Sequence, residues 1–200
     1  MNLAPLLVLG TAAASVVLGG CAVVPPVSAG QEFAASGIHF QAPAGAGWHK
    51  YQDDASGIYL IKLGPGANET RSVGVHFDSL PAVTAPDAFL EYAREEVIKA
   101  PVLDRFDPRQ VSFRLVDHRG YPCVLLHVSG TTARHTGLLT APAKQHGQIV
   151  SLLCHYPSAP GRGFAAVFEY YNDSVTEGID AEAMSFIDSV RPDAPDPKPR

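Results

Sequence analysis

The chain has 200 residues, of which 46% are hydrophobic and 18% charged, so it is long enough for one ordinary domain and too apolar to be disordered. Fifteen basic residues against twenty acidic ones give a formal net charge of −5. A nucleic-acid-binding protein needs a basic surface to neutralise phosphates, and this balance excludes nucleic acid as a partner.

The N-terminal segment, residues 1–20, carries no charged side chain and is apolar or small from Leu3 onward. A membrane-spanning helix needs about 20 apolar residues. Here the apolar part is short, Pro5 interrupts its start, and small residues end it. These features favour a secretory signal peptide over residues 1–20. An uncleaved membrane helix is the alternative.

The sequence Leu18-Gly19-Gly20-Cys21 resembles the lipobox of bacterial lipoproteins. The resemblance implies that the signal peptide is removed and that Cys21 becomes a diacylglycerol cysteine, with palmitate among its acyl chains, at the start of the mature chain. Ala22 follows the cysteine, which implies transfer to the outer membrane. We therefore expect the membrane to be a partner through the N-terminal lipid, with the domain facing the periplasm.

The mature chain divides by composition into three parts. Residues 21–35 contain Pro25-Pro26, Ser28 and Gly30 and predict a flexible tether. Residues 36–191 form the globular domain. Residues 192–200 are rich in proline, have no large apolar residue, and predict a disordered tail.

Within the domain, apolar residues alternate with polar ones at the period of a half-buried strand. This pattern predicts strands at 38–40, 59–63, 73–78, 111–115 and 164–170. Residues 123–128 and 149–156 are apolar on both faces and predict central strands, so that we expect about six to seven strands in all.

Two segments change to the helical period. The first runs from Pro86 to the helix-stopping Pro101 and places Phe89, Leu90 and Ala93 on one side. The second begins near Asp180. The order β-β-β-α-β-β-β-β-α predicts an α+β fold, in which an antiparallel sheet is covered on one face by two helices.

The chain is similar to the PsbP-like domains, including the DcrB-like domains of bacterial envelope lipoproteins. The similarity lies in GIHFQAPAGAGW (37–48), PDAFLEYAREEV (86–97), VSFRLVDHRGYPCVLLHV (111–128) and FIDSV (186–190). It implies an α/β/α sandwich over 36–191 and a binding or accessory role. It supplies no functional residues.

Cys123 and Cys154 remain once Cys21 is assigned to the lipid. If the strands that hold them pair antiparallel with the two cysteines opposite each other, His127 lies opposite Val150 and the sulfurs are within reach. The periplasm is oxidising, so we predict a disulfide between Cys123 and Cys154. Two buried thiols are the alternative.

Eight histidines invite a metal hypothesis, but none has the HExxH or CxxC spacing that fixes ligands on one element. His127 and His155 lie on candidate neighbouring strands, and His135 and His146 lie between them. Three of these four could converge on one metal. Isolated imidazoles are the more common arrangement, so we predict no metal and no cofactor.

The sequence contains no Gly-x-Ser-x-Gly motif and no phosphate-binding loop. Cys154 and His155 are adjacent on a strand and point to opposite faces, which excludes them as a nucleophile and its base. We therefore predict a non-enzymatic, lipid-anchored accessory or binding protein with an envelope protein partner. A small-ligand or metal-binding module is the second hypothesis, and an enzyme of unrecognised type is the third.

Overall fold

The structure, a computed structural model, describes residues 25–64, 68–82, 85–116, 119–134, 143–156, 159 and 161–193. The predicted signal peptide and Cys21 lie outside the described residues. In chain order the elements are β1 (Pro26–Val27), β2 (Glu32–Ala35), β3 (Ile38–Gln41), β4 (Trp48–Asp54), β5 (Gly57–Leu63), β6 (Thr70–Ser79), α1 (Pro86–Ile98), a 3₁₀ helix (Pro101–Arg105), β7 (Phe106–Val116), β8 (Cys123–Arg134), β9 (Ala143–His155), β10 (Arg162–Asn172), α2 (Ile179–Ser189) and β11 (Arg191–Pro192).

The strands form two antiparallel sheets. The large sheet has the order β1-β4-β5-β6-β10-β9-β8-β7, and the small one has the order β11-β3-β2. The predicted α+β class is confirmed, and each strand predicted from alternation is present. The predicted number of six to seven strands is too low because β1, β2, β4 and β11 are short or lack a regular apolar alternation.

The predicted tether over 21–35 is not observed where the structure describes it. Pro26 and Val27 pair with His49 and Trp48 of β4, and Glu32–Ala35 pairs along β3. Val27 is buried because its side chain joins the main core. Proline and small residues suggested flexibility, but backbone pairing at the edges of the two sheets orders this segment.

The C-terminal boundary also differs from the expectation. Pro192, predicted to begin the disordered tail, pairs with Ile38 of β3, and the Asp193 amide donates a hydrogen bond to the Gly37 carbonyl. Proline is tolerated there because β11 is an edge strand. The remaining tail residues, 194–200, lie outside the described residues.

The two helices lie on opposite faces of the large sheet, rather than together on one face as the element order suggested. Phe89 of α1 packs with Val124 of β8. Phe186 of α2 shares a cluster with Cys123, which precedes Val124 and points the other way. The described chain is therefore layered helix, sheet, helix, with the small sheet beside α2. Neither described helix has the length and apolar content needed to cross a bilayer.

Candidate functional site

The predicted disulfide is confirmed. Cys123 lies directly opposite Cys154 in the β8–β9 ladder, and His127 lies opposite Val150, as the register requires. The Cα atoms are 4.1 Å apart and the sulfurs are joined. Both cysteines are fully buried in the core beneath α2. The bridge therefore ties two central strands of the large sheet together.

The structure does not bring the four candidate histidines together. His127 lies on the α2 side of the sheet, with its Nε2 atom 3.7 Å from Asp180 Oδ1. His155 lies on the α1 side, where its ring centroid is 4.4 Å from that of Phe89. The sheet separates these two imidazoles. His135 lies outside the described residues.

His146 lines a polar depression of about 360 Å³ on the α2 side, together with Gln110, Ser129, Gly130, Thr131, Gly147, Gln148, Tyr170, Val175, Thr176 and Ile179. Among the described ranges, no group of three His, Cys, Asp or Glu side chains is close enough to hold a metal ion. The structure therefore does not bring His127 and His155 to one metal, and a site that includes His135 would lie outside the described residues.

A larger and more apolar cavity of about 390 Å³ lies between α1 and the large sheet. We call it the α1 cavity. Helix α1 and the 3₁₀ helix roof it, and β5 to β10 form its floor. Its lining residues are Tyr59, His76, Asp78, Ala93, Glu96, Val97, Ala100, Leu103, Phe113, Val124, Leu126, Val128, Ile149, Ser151, Leu153, Ala165, Val167 and Glu169.

Three polar side chains form a hydrogen-bonded chain on one wall of the α1 cavity. The Tyr59 hydroxyl lies 2.6 Å from His76 Nδ1, and His76 Nε2 lies 3.1 Å from Asp78 Oδ2. With a proton on Nε2, the imidazole donates to Asp78 and accepts from Tyr59, so a neutral ring satisfies both bonds. The hydrogen bond from His76 lowers the pKa of the Asp78 carboxyl.

Glu169 is the fourth polar group of this region. It lies opposite Ser72 in the β6–β10 ladder, and the Ser72 hydroxyl is 3.4 Å from its carboxylate. Burial raises the pKa of Glu169, and the Ser72 hydroxyl and the Arg105 charge oppose that rise. Glu169 therefore places a poorly solvated carboxyl beside an apolar cavity.

The α1 cavity continues into a second depression of about 350 Å³ toward β4. Tyr59, Val167 and Glu169 line both spaces. At the far end, Tyr51 of β4 is 70% exposed. The two spaces form one groove along the sheet, which runs from α1 to an open end at the exposed Tyr51.

The chemistry of Tyr59 does not suit a nucleophile or a general base. Burial, with further contributions from the charges of Glu169 and Asp78, raises the pKa of the phenol to about 12. An activated nucleophile or base needs its pKa lowered toward the working pH. Tyr59 therefore stays protonated and serves as a hydrogen-bonding group.

Sequence reasoning missed Tyr59, His76, Asp78 and Glu169 as site residues. The alternation in β6 does place His76 and Asp78 on the face opposite Val73 and Val75. Polar residues on the second face of a strand whose first face is strongly apolar could have indicated a polar site on that second face. Their assembly depends on the pairing of β6 with β10, and the intervening chain of more than 80 residues hides that register.

The chain matches no protein-family model and no curated protein. It resembles a crystal structure from Bacteroides thetaiotaomicron VPI-5482 with a TM-score of 0.47 and 11% identity, over 82% of this chain and 49% of that one. It therefore spans about half the length of that protein. It also resembles LpqN of Mycobacterium tuberculosis, described as involved in cell envelope biogenesis, with a TM-score of 0.44 and 16% identity, over 82% of this chain and 83% of LpqN. At these values neither neighbour assigns this chain an activity, ligand or partner, and the PsbP-like and lipoprotein resemblances stay predictions.

Proposed function

We propose that this protein is a non-enzymatic, lipid-anchored binding protein of the bacterial envelope, and that the α1 cavity holds a small apolar ligand. The observation that carries the proposal is the cavity itself. Its volume of about 390 Å³ falls within the range of about 300–1,000 Å³ that is typical of small-molecule sites. Apolar walls with a few convergent polar groups are also typical of such sites.

The envelope location is supported by two independent features. The Leu18-Gly19-Gly20-Cys21 sequence resembles a lipobox, which supports lipid attachment at Cys21, before the first strand. The Cys123–Cys154 disulfide favours an oxidising compartment, because cytosolic thiols are kept reduced. Anchoring in the outer membrane, a periplasmic domain and an envelope protein partner belong to the same proposal.

With Cys21 as the lipid anchor, the position of β1 would keep the domain close to the membrane. Strand β1 begins at Pro26, so only residues 22–25 separate it from Cys21. That segment spans at most about 18 Å when fully extended. Strand β4 pairs with β1 and carries Tyr51 at the open end of the groove. An apolar ligand would therefore have a short path between the membrane and the cavity.

Intact mass measurement of the protein from native membranes tests the anchor. We expect the denatured mass of residues 21–200 plus acyl groups, less two hydrogens for the disulfide. An unprocessed chain would contradict the lipoprotein assignment. A ligand retained only in native conditions would appear as additional mass.

NMR titration of the full-length protein in lipid nanodiscs with octan-1-ol tests the cavity. We expect saturable shift changes at cavity-lining residues such as Val124, Val128 and Ala165. Val167→Trp should abolish them by filling the groove. Ile98→Trp is the matched control, because Ile98 is 59% exposed and does not line the cavity. Absence of saturable shifts at the lining residues would overturn the proposal.

A further inference from the structure

The charged residues that line the α1 cavity all carry the same sign. Asp78, Glu96 and Glu169 line it, and among the residues that the structure describes no Lys or Arg does. Asp78 is hydrogen-bonded to His76, and Glu96 pairs with Lys99 at 3.0 Å. The Glu169 carboxylate forms no ion pair with another described residue, and its one direct hydrogen bond in this part of the chain is the long contact to Ser72.

The surroundings of Glu169 leave an ionised carboxylate poorly compensated. Tyr59 on β5, Ser72 on β6, Tyr171 on β10 and Arg105 in the 3₁₀ helix interact with it, while β9 places the apolar Ile149 opposite it. His76 and Asp78 on β6 and Glu96 on α1 line the same cavity. Arg105 is exposed, and its charge lowers the pKa of Glu169 without a direct ion pair between the two in the described part of the chain. A half-buried charge without a direct partner is costly, and a ligand that supplies the opposite charge recovers part of that cost.

Tyr59 offers a second acceptor at the same place. When His76 carries its proton on Nε2, the Tyr59 hydroxyl donates to Nδ1 and the lone pairs of the phenol oxygen remain available. Tyr59 and Glu169 both line the junction between the α1 cavity and the second depression. A donor with more than one N–H placed at this junction would meet two acceptors, while an attached apolar chain would lie against Val128 and Val167.

We propose that the α1 cavity selects a lipophilic amine, whose protonated nitrogen pairs with Glu169 and Tyr59 and whose aliphatic body fills the apolar space. The inference rests on the proposed function, because it names the ligand class of the same cavity. Charge complementarity carries it: an ammonium matches the acidic lining, and a fatty-acid carboxylate opposes it.

The test compares three probes that share one chain and differ in their head group: octylamine, octan-1-ol and octanoate. Each is titrated at pH 7 into the full-length protein in nanodiscs. Affinity is read from the shifts of cavity-lining residues against the free aqueous probe concentration, which is measured separately with empty nanodiscs because the three probes partition differently into lipid. We expect octylamine to bind at least about tenfold more tightly than octan-1-ol, as one charge-assisted hydrogen bond allows. Octanoate should bind most weakly.

Two variants assign the preference to the named groups. Glu169→Gln keeps the shape and removes the charge, so it should eliminate the advantage of octylamine and leave octan-1-ol binding within about threefold. Tyr59→Phe should reduce that advantage in part. Glu177→Gln removes the same charge from an exposed position before α2 and should change nothing.

The outcomes separate the two proposals. If octan-1-ol and octylamine bind equally well, or if Glu169→Gln retains the amine preference, the amine inference is overturned and the cavity stands as a ligand site. If none of the three probes shifts the cavity residues, the proposed function fails with it. A preference for octanoate would overturn the inference directly.

Discussion

The backbone of Gly74 lies directly beneath the ring of Tyr59. A Cβ atom at Gly74 would lie 2.3 Å from Tyr59 Cδ1 and 2.7 Å from the Ile58 carbonyl oxygen. Gly74 and Tyr59 are paired residues in the β5–β6 ladder. The missing side chain therefore allows the phenol to lie flat across β6 and to reach His76.

Gly74→Ala should displace Tyr59 and weaken its hydrogen bond to His76. We expect a loss of about 1–3 kcal/mol in the free energy of unfolding, the usual cost of overpacking, measured by urea denaturation. In a Tyr59→Ala background the methyl group added at position 74 no longer clashes with the Tyr59 ring, while the Ile58 carbonyl oxygen stays close to it. The same substitution should then cost at least about 1 kcal/mol less. An equal cost in both backgrounds would show that the Tyr59 ring is not the constraint.

The Cys123–Cys154 bridge encloses a sequence separation of 31 residues. In the chain-entropy model a loop of that size stabilises the folded state by about 3–4 kcal/mol. We expect reduction to lower the free energy of unfolding by about that amount. The number of titratable thiols in the denatured protein should rise by two on reduction. Two free thiols before reduction would contradict the bridge.

The disulfide and the α1 cavity differ in how far sequence could predict them. Residues 123–128 and 149–156 are apolar on both faces and predict central strands, and placing one cysteine opposite the other fixes the register of β8 on β9. For Glu169 no such marker exists. Its neighbours Ser72 and Tyr59 come from strands far away in the chain, and either strand could slip by two residues without changing its apolar pattern.

The short strands β1 and β11 could not be predicted from the sequence for a different reason. Pro26–Val27 and Arg191–Pro192 are too short for periodicity and rich in residues that disfavour strands. They are ordered because each pairs with a strand that the core already holds in place. Strand β1 pairs with β4 at the buried Trp48, and β11 pairs with β3 at the buried Ile38. The local sequence predicted flexible segments, but pairing with neighbouring strands in the tertiary structure fixes both as strands.

The hydrogen bond between His76 and Asp78 makes the acid stability of this region depend on His76. Because the pKa of Asp78 is lowered from its usual 3.8 in the folded state, its contribution is present above pH 3.8 and is lost as the pH falls through the lower, folded value. His76→Ala should raise the pKa of Asp78 back toward 3.8 in a carboxyl NMR titration. His146→Ala, on the opposite face of the sheet, is the control and should leave the titration unchanged. An unchanged Asp78 in His76→Ala would contradict the hydrogen-bonded chain.

Arg119 holds the C-terminal end of α2 to the turn between β7 and β8. Its Nη1 atom donates to the Val190 carbonyl at 2.6 Å, and Nη2 donates to the Ile187 carbonyl at 2.9 Å. These carbonyls lie at the negative end of the helix dipole, and the Arg119 side chain is only 11% exposed.

Arg119→Ala should therefore lower the free energy of unfolding by about 1.5–3 kcal/mol, because it leaves buried carbonyls without their charged donor. For a domain of this size that corresponds to a fall in Tm of roughly 3–12 °C, measured by thermal denaturation. Arg94→Ala removes an arginine whose partner Glu91 lies on the exposed side of α1, and it should cost less than about 1 kcal/mol. Equal losses in the two variants would mean that net charge, rather than the bonds to α2, accounts for the effect. Arg119→Lys should lie between them, since an ammonium retains the charge but cannot reproduce the two-pronged contact of the guanidinium.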